Sequence, residues 1–110
     1  MAKVSEAQTQ RLILDWLAAK GILAFRMQSG ATISSYKGKT RMFRYGTPGM
    51  ADILAFTRQT EHEPSLPIWI EVKAPKGKQS DLQKSFEKQV AAEGHNYIVA
   101  TSLEDVENWL

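Results

Sequence analysis

The chain has 110 residues, of which 43% are hydrophobic and 24% charged, and its formal net charge is +2. These values are typical of a globular protein, and the length suits one domain over residues 1–110 with a single core. The absence of cysteine excludes disulfides, thiolate metal sites and a cysteine nucleophile. No apolar run approaches the ~18 residues that a membrane span requires.

The first predicted element is a helix from Glu6 to Lys20. Ser5 and Gln8 form a capping-box pattern at its start, apolar residues follow at helical spacing, and Gly21 ends it. The residues before the helix contain no apolar signal-peptide region. We therefore expect a cytoplasmic protein that does not enter a membrane.

A basic, aromatic segment follows a predicted strand over residues 22–27. Residues 36–45 contain four positive charges, no acid and three aromatic residues. The pattern from Ala31 to Tyr45 fits either a hairpin or an ordered loop. Such a segment is either a solvated loop or part of a nucleic-acid-binding surface.

Two further strands are predicted over residues 51–57 and 67–73, joined by a polar connection that contains a proline. A direct connection of this kind pairs the strands antiparallel, so the start of the first faces the end of the second. Asp52 is therefore expected opposite Glu71 and Val72.

Charged residues occupy this pair of strands where apolar residues would be usual. Side chains alternate between the faces of a strand, so Glu71 and Lys73 point to the same side, where Asp52 also lies. Two carboxylates and one ammonium group are expected to converge there. On spacing alone, the patch is either an exposed ion pair or a binding place for a hard divalent cation.

The remaining segment predicts a helix, a strand and a second helix. The first helix begins with a capping box of Ser80 and Gln83, the strand covers Tyr97 to Ala100, and Ser102 caps the last helix. A strand, helix and strand over residues 67–100 form a crossover unit, whose strands are parallel. The prediction is an α/β fold with a mixed sheet and the element order αβββαβα.

Four short motifs follow one another along the chain. They are Gly46-Thr47-Pro48-Gly49-Met50-Ala51-Asp52-Ile53, Ile70-Glu71-Val72-Lys73, Ser80-Asp81-Leu82-Gln83 and Glu93-Gly94. With the element order, they resemble the VRR-NUC branch of the PD-(D/E)XK nucleases over nearly the whole chain, from Ser5 to Ala100. The chain departs from the superfamily pattern at Ala51, where a proline would precede the aspartate; Pro48 lies further upstream.

The resemblance implies a restriction-endonuclease-like three-layer core, in which helices flank a mixed central sheet. It implies a Mg²⁺- or Mn²⁺-dependent endonuclease that hydrolyses DNA. It further implies that minimal, stand-alone members are homodimers acting on branched DNA such as four-way junctions. A non-catalytic nucleic-acid-binding module with the same fold is the alternative.

The site residues follow from the same resemblance. Asp52, Glu71 and the backbone carbonyl of Val72 would be metal ligands. Gln83 and Glu6 would assist, although both also lie in helix-capping positions that explain them equally well. The expected catalytic residues are Asp52, Glu71, Lys73, Gln83 and Glu6.

The positive residues near the carboxylates are expected to contact DNA, unless they belong to a solvated loop. Tyr36, Phe43 and Tyr45 would then either stack on bases or pack within the protein. The expected DNA-binding residues are Lys37, Lys39, Arg41, Arg44, Lys76 and Lys78.

Overall fold

The computed structural model describes residues 5–110. Residues 1–4 lie outside this range, and they belong to the N-terminal segment from which a cytoplasmic location is expected. Four strands form one mixed sheet in the order β1-β4-β5-β6, and β2 and β3 form a separate hairpin. This mixed α/β architecture confirms the predicted fold class and is consistent with a restriction-endonuclease-like fold. The elements are α1 (Glu6–Ala19), β1 (Ala24–Arg26), β2 (Gly30–Tyr36), β3 (Lys39–Tyr45), β4 (Ile53–Phe56), β5 (Pro67–Val72), α2 (Asp81–Ala92), β6 (Asn96–Ala100) and α3 (Leu103–Glu107).

Capping boxes start both long helices, as the sequence predicts. In α1 the Ser5 hydroxyl accepts a hydrogen bond from the Gln8 amide, and the Gln8 side chain accepts one from the Ser5 amide. These contacts satisfy amide donors that have no partner within the helix. The same reciprocal pair forms between Ser80 and Gln83 in α2.

The strand pairing sets the position of the predicted carboxylates. Strands β4 and β5 are antiparallel with Ile53 opposite Ile70, and β5 and β6 are parallel. Both relations confirm the sequence prediction. Asp52 precedes Ile53 and Glu71 follows Ile70, so the same antiparallel register places Asp52 opposite Glu71.

The sheet lies between two helical layers. On one face, Ile70 and Val72 are fully buried with Ile13 and Leu17 of α1 and with Val106 of α3. Burial of each such side chain contributes about 1.5–3 kcal/mol.

Helix α2 covers the opposite face of the sheet. The rings of Trp69 on β5 and Phe86 on α2 meet edge to face, with centroids 5.1 Å apart. Because side chains alternate along β5, Glu71 points toward α2 as Trp69 does.

The basic, aromatic segment forms the β2–β3 hairpin rather than an ordered loop. Lys37 and Gly38 both have positive φ, at 50° and 74°, as a two-residue type I′ turn requires. All residues of both strands are exposed, and within residues 5–110 no other helix or strand packs against them. The hairpin adds two strands, outside the main sheet, to the predicted order αβββαβα.

A tight turn leads into Asp52. The Met50 amide donates to the Thr47 carbonyl, with Pro48 and Gly49 between them and Gly49 at φ +82°. This is the arrangement of a type II turn. A Cβ on Gly49 would lie 2.4 Å from the Leu82 carbonyl, so the turn packs directly on the first turn of α2.

We predict that Gly49→Ala destabilises the protein more than Gly94→Ala. Both glycines have positive φ, near +80°, but a Cβ on Gly94 would have no neighbour within 4 Å. Both variants lose about 1–2 kcal/mol from the unfavourable backbone, and the collision in Gly49→Ala costs roughly 1–3 kcal/mol more. Urea unfolding measures the difference, and equal losses would show that the turn does not pack on α2.

Candidate active site

Asp52 is held at the start of β4 by both neighbouring strands. Its carboxylate oxygen Oδ2 accepts a hydrogen bond of 2.7 Å from the Val72 amide at the end of β5. Its main-chain carbonyl accepts one of 2.7 Å from the Met27 amide, just after β1. The direction of the carboxylate is therefore fixed by the main chain.

Glu71 on β5 is a carboxylic acid inside the protein, with 1% of its surface exposed. Its Oε1 accepts a hydrogen bond of 3.1 Å from the Gln83 side chain, and its Oε2 accepts one of 3.2 Å from the Tyr97 hydroxyl. A buried polar group without partners would be strongly destabilising, so these two donors allow Glu71 to occupy its position.

The surroundings of Glu71, including Asp52, change its chemistry. Burial raises the pKa of Glu71 to about 8, and the charge of Asp52 and a hydrogen bond to its carboxyl group add to the shift, whereas nearby Lys73 opposes it. Two adjacent carboxylates do not both ionise readily in a low-dielectric site. Without a bound cation, Glu71 therefore keeps a proton at neutral pH.

The donor set is compatible with a hard divalent cation. Within residues 5–110, no three His, Cys, Asp or Glu side chains cluster as a complete metal site. Mg²⁺, however, is commonly held by one or two carboxylates, with water and substrate phosphate as its other ligands. The proton that Glu71 retains beside Asp52 marks a position where such a cation would favour the charged carboxylate.

Gln83 caps α2 and also contacts one of the expected metal ligands. Its Oε1 accepts from the Ser80 amide in the capping box, and its Nε2 donates to Glu71. One side chain therefore ties the start of α2 to the buried carboxyl group.

Tyr97 is a site residue that sequence reasoning missed. Its hydroxyl donates to Glu71 and accepts from Gln79, which also donates to Glu87. Burial, and then the charge of Glu71, raise the pKa of Tyr97, so its hydroxyl remains a donor. The available signal was its place on β6, the parallel neighbour of β5, on the same face as Glu71.

An open cleft of about 430 Å³ leads to Asp52, and Gln83 also lines it. Gln10, Arg26 and Gln28 also line it, and sequence reasoning missed all three. An arginine here places positive charge where a phosphate would approach.

The structure places Glu6 differently from the other expected catalytic residues. It is exposed in the first turn of α1 and is not among the residues lining the cleft, whereas Gln10, one helical turn later, is. Lys73, by contrast, follows β5 directly and lies near enough to influence the pKa of Glu71. The structure thus brings together Asp52, Glu71, Lys73 and Gln83.

The expected DNA-binding residues separate into two groups. Lys37, Lys39, Arg41 and Arg44 lie on the hairpin, whose Tyr45 lines the same cleft as Asp52. Lys76 and Lys78 are exposed in the loop after β5, and Lys76 lines a different pocket, of about 740 Å³, beside α1.

An α/β fold with paired Asp and Glu carboxylates and a neighbouring lysine is the arrangement of the PD-(D/E)XK nucleases. The model of the VRR-NUC domain matches residues 3–104, and the chain belongs to the VRR-NUC family of that superfamily. Comparison with curated proteins and with solved structures found no match. The family supports a nuclease, and a nuclease domain implies DNA as its partner. Within residues 5–110 no helix is both long and apolar enough to cross a bilayer.

We predict that the metal-free protein becomes less stable as the pH rises. The pKa of Glu71 is about 8 in the folded state against 4.5 ordinarily. The folded state therefore binds the proton more tightly, and this stabilisation is complete below pH 4.5 and lost as the pH passes 8. The free energy of unfolding should fall by roughly 2–4 kcal/mol across this interval.

Glu71→Gln removes the titrating group and provides the comparison. Urea unfolding in EDTA, at pH values on either side of the interval, should show a smaller fall in this variant than in the wild type. Other titrating groups are common to both proteins, so the difference isolates Glu71. Equal falls in the two proteins would contradict the assignment of a proton to Glu71.

Proposed function

We propose that the chain is a divalent-metal-dependent endonuclease that hydrolyses phosphodiester bonds in DNA. The observation that carries this proposal is the pairing of the Asp52 carboxylate with the buried carboxyl group of Glu71, beside Lys73. A solvent-exposed ion pair would not require a buried Glu71 that retains a proton. A site whose carboxyl groups would hold a divalent cation explains the cost of this arrangement better.

Asp52 and Glu71 would hold Mg²⁺ or Mn²⁺ through their oxygens, with the Val72 main-chain carbonyl as the third protein ligand. Such an ion supplies charge neutralisation at the phosphate and lowers the pKa of water, which makes hydroxide available near neutral pH. The amide of Val72 fixes Asp52, and Gln83 and Tyr97 fix Glu71, so both carboxylates are oriented before the ion binds.

Lys73 is proposed to act on the charge that develops at the phosphate. Its effect on the pKa of Glu71 supports a position next to the ligands. An ammonium group there can orient the attacking water or stabilise the additional negative charge of the transition state. Glu6 would contribute only through bridging water, since its side chain is exposed at the helix start.

We further propose that the substrate is branched DNA, such as a four-way junction, and that the enzyme is a homodimer. The family resemblance, which implies homodimers acting on branched DNA for minimal members, supports both statements. A chain of 110 residues has little surface of its own for recognising a large substrate. A symmetric dimer would add surface and would place one active site on each of two strands.

We predict that Asp52→Asn and Lys73→Ala each lower metal-dependent cleavage by about 100-fold or more. The substrates are labelled linear, forked and four-way DNA, each with and without Mg²⁺ or Mn²⁺. DNA binding should be largely retained, because neither residue belongs to the hairpin. Asp15→Asn and Lys88→Ala are matched controls, since both residues are exposed on helix surfaces.

Cleavage of all three substrates at the wild-type rate by Asp52→Asn would contradict the proposed site. If the wild type binds these substrates but cuts none of them with either metal, the nuclease proposal is wrong. The chain would then be a nucleic-acid-binding module that retains the fold. Preferential cutting of the four-way substrate would support the branched-DNA proposal, and equal cutting of linear DNA would contradict it.

A further inference from the structure

We infer that one face of the β2–β3 hairpin binds an unpaired segment of DNA and leads it into the cleft. This inference rests on the proposed nuclease function and specifies the part of the substrate that the hairpin contacts.

The strand register divides the hairpin into two unlike faces. Residues directly opposite each other in an antiparallel pair lie on the same side, and side chains alternate along each strand. One face pairs Ala31 with Arg44, Ile33 with Met42 and Ser35 with Thr40, so it has no aromatic ring and a single positive charge. The other face, here called the cationic-aromatic face, carries Tyr36, Lys39, Arg41, Phe43 and Tyr45, and its remaining positions are the small residues Gly30, Thr32 and Ser34.

The aromatic rings of this face are available to a partner. Tyr36 is 74% exposed, Phe43 50% and Tyr45 48%, and within residues 5–110 no helix or strand covers the hairpin. The charges between the rings are all positive, because residues 30–45 contain no acidic residue. The complementary partner therefore carries negative charge together with flat aromatic surfaces, which is the chemistry of a nucleic acid.

The rings favour unpaired bases over a duplex. In a duplex the bases stack on one another and present only their edges and the phosphates, so a ring has no base to stack on. Phe43 and Tyr45 are two residues apart on β3, which separates them by about 6.7 Å along the strand. This is roughly twice the ~3.4 Å rise between stacked bases, so one base fits between two rings.

The cationic-aromatic face is continuous with the cleft. Tyr45 belongs to this face and also lines the cleft that contains Asp52 and Gln83. Gly30 lies opposite Tyr45, and a Cβ on Gly30 would lie 2.8 Å from the Tyr45 hydroxyl. The absence of a side chain at Gly30 therefore leaves room for the Tyr45 ring at the open end of the hairpin. The Met27 amide, between β1 and the hairpin, bonds the carbonyl of Asp52 and ties this base to the site.

Binding without cleavage tests the inference directly. In EDTA, we would titrate the full chain against a single-stranded oligonucleotide containing 2-aminopurine, whose fluorescence falls when the base stacks. A duplex of the same sequence is measured in parallel by anisotropy. Phe43→Leu removes a ring from the cationic-aromatic face, and Met42→Leu is the matched change on the opposite face of the same strand.

The wild type and Met42→Leu should bind the single strand with equal affinity and quench the 2-aminopurine. Phe43→Leu should bind it about tenfold more weakly and quench less, with a smaller change in duplex affinity. Circular dichroism checks that both variants keep the fold. Equal single-strand binding by the two variants, or an equal loss of single-strand and duplex binding in Phe43→Leu, would overturn the inference.

Cleavage assays with Mg²⁺ separate this inference from the function on which it rests. If the wild type cuts DNA and Phe43→Leu binds the single strand normally, the proposed role of the hairpin is wrong and the nuclease proposal stands. If the wild type quenches 2-aminopurine through Phe43 but cuts no DNA, the nuclease proposal is wrong and the inference about the hairpin stands.

Discussion

The contact between the carboxyl groups of Asp52 and Glu71 is the constraint on which the rest of the site depends. Glu71 lies in the sheet interior, where an isolated carboxylate would be prohibitively costly. Its oxygens are satisfied by Gln83 from α2 and Tyr97 from β6, and its charge is removed by a proton. Glu71 keeps this proton only while no cation is bound. Such a carboxyl group is suited to a site where a proton is released when a divalent ion binds.

A tight turn, a helix cap and a main-chain hydrogen bond all lie around these two carboxyl groups. The turn through Gly49 packs on the start of α2, and the same first turn carries Gln83, which both caps the helix and bonds Glu71. The Val72 amide fixes Asp52 from the neighbouring strand. Asp52 is thus positioned by the main chain, and Glu71 is positioned by Gln83, which is itself held in the cap of α2. Both carboxyl groups are therefore oriented before any ligand binds.

Local patterns were sufficient to predict much of this arrangement. Alternation along residues 67–73 placed Glu71 on the face opposite Val72, and antiparallel pairing placed Asp52 opposite Glu71; the observed register agrees. The capping residues fixed the starts of the helices. The family resemblance supplied the roles of the site residues, which spacing alone left open between an ion pair and a metal site.

The features that sequence reasoning missed depend on contacts between distant segments. Tyr97 and Glu71 are 26 residues apart, and their hydrogen bond exists only because β5 and β6 pair in one register. Gln10 rather than Glu6 lines the cleft because it lies one turn further along the same face of α1. The hairpin was ambiguous because its turn uses Lys37 at positive φ, a conformation that lysine rarely adopts.

The most direct test of this account is the number of protons released when Mn²⁺ binds. Calorimetry at about pH 7, in buffers of different ionisation enthalpy, measures that number. Because the pKa of Glu71 is about 8, the account predicts release of nearly one proton for each ion bound, and a much weaker interaction in Asp52→Asn. Binding of Mn²⁺ without proton release, or with undiminished affinity in that variant, would contradict the central claim.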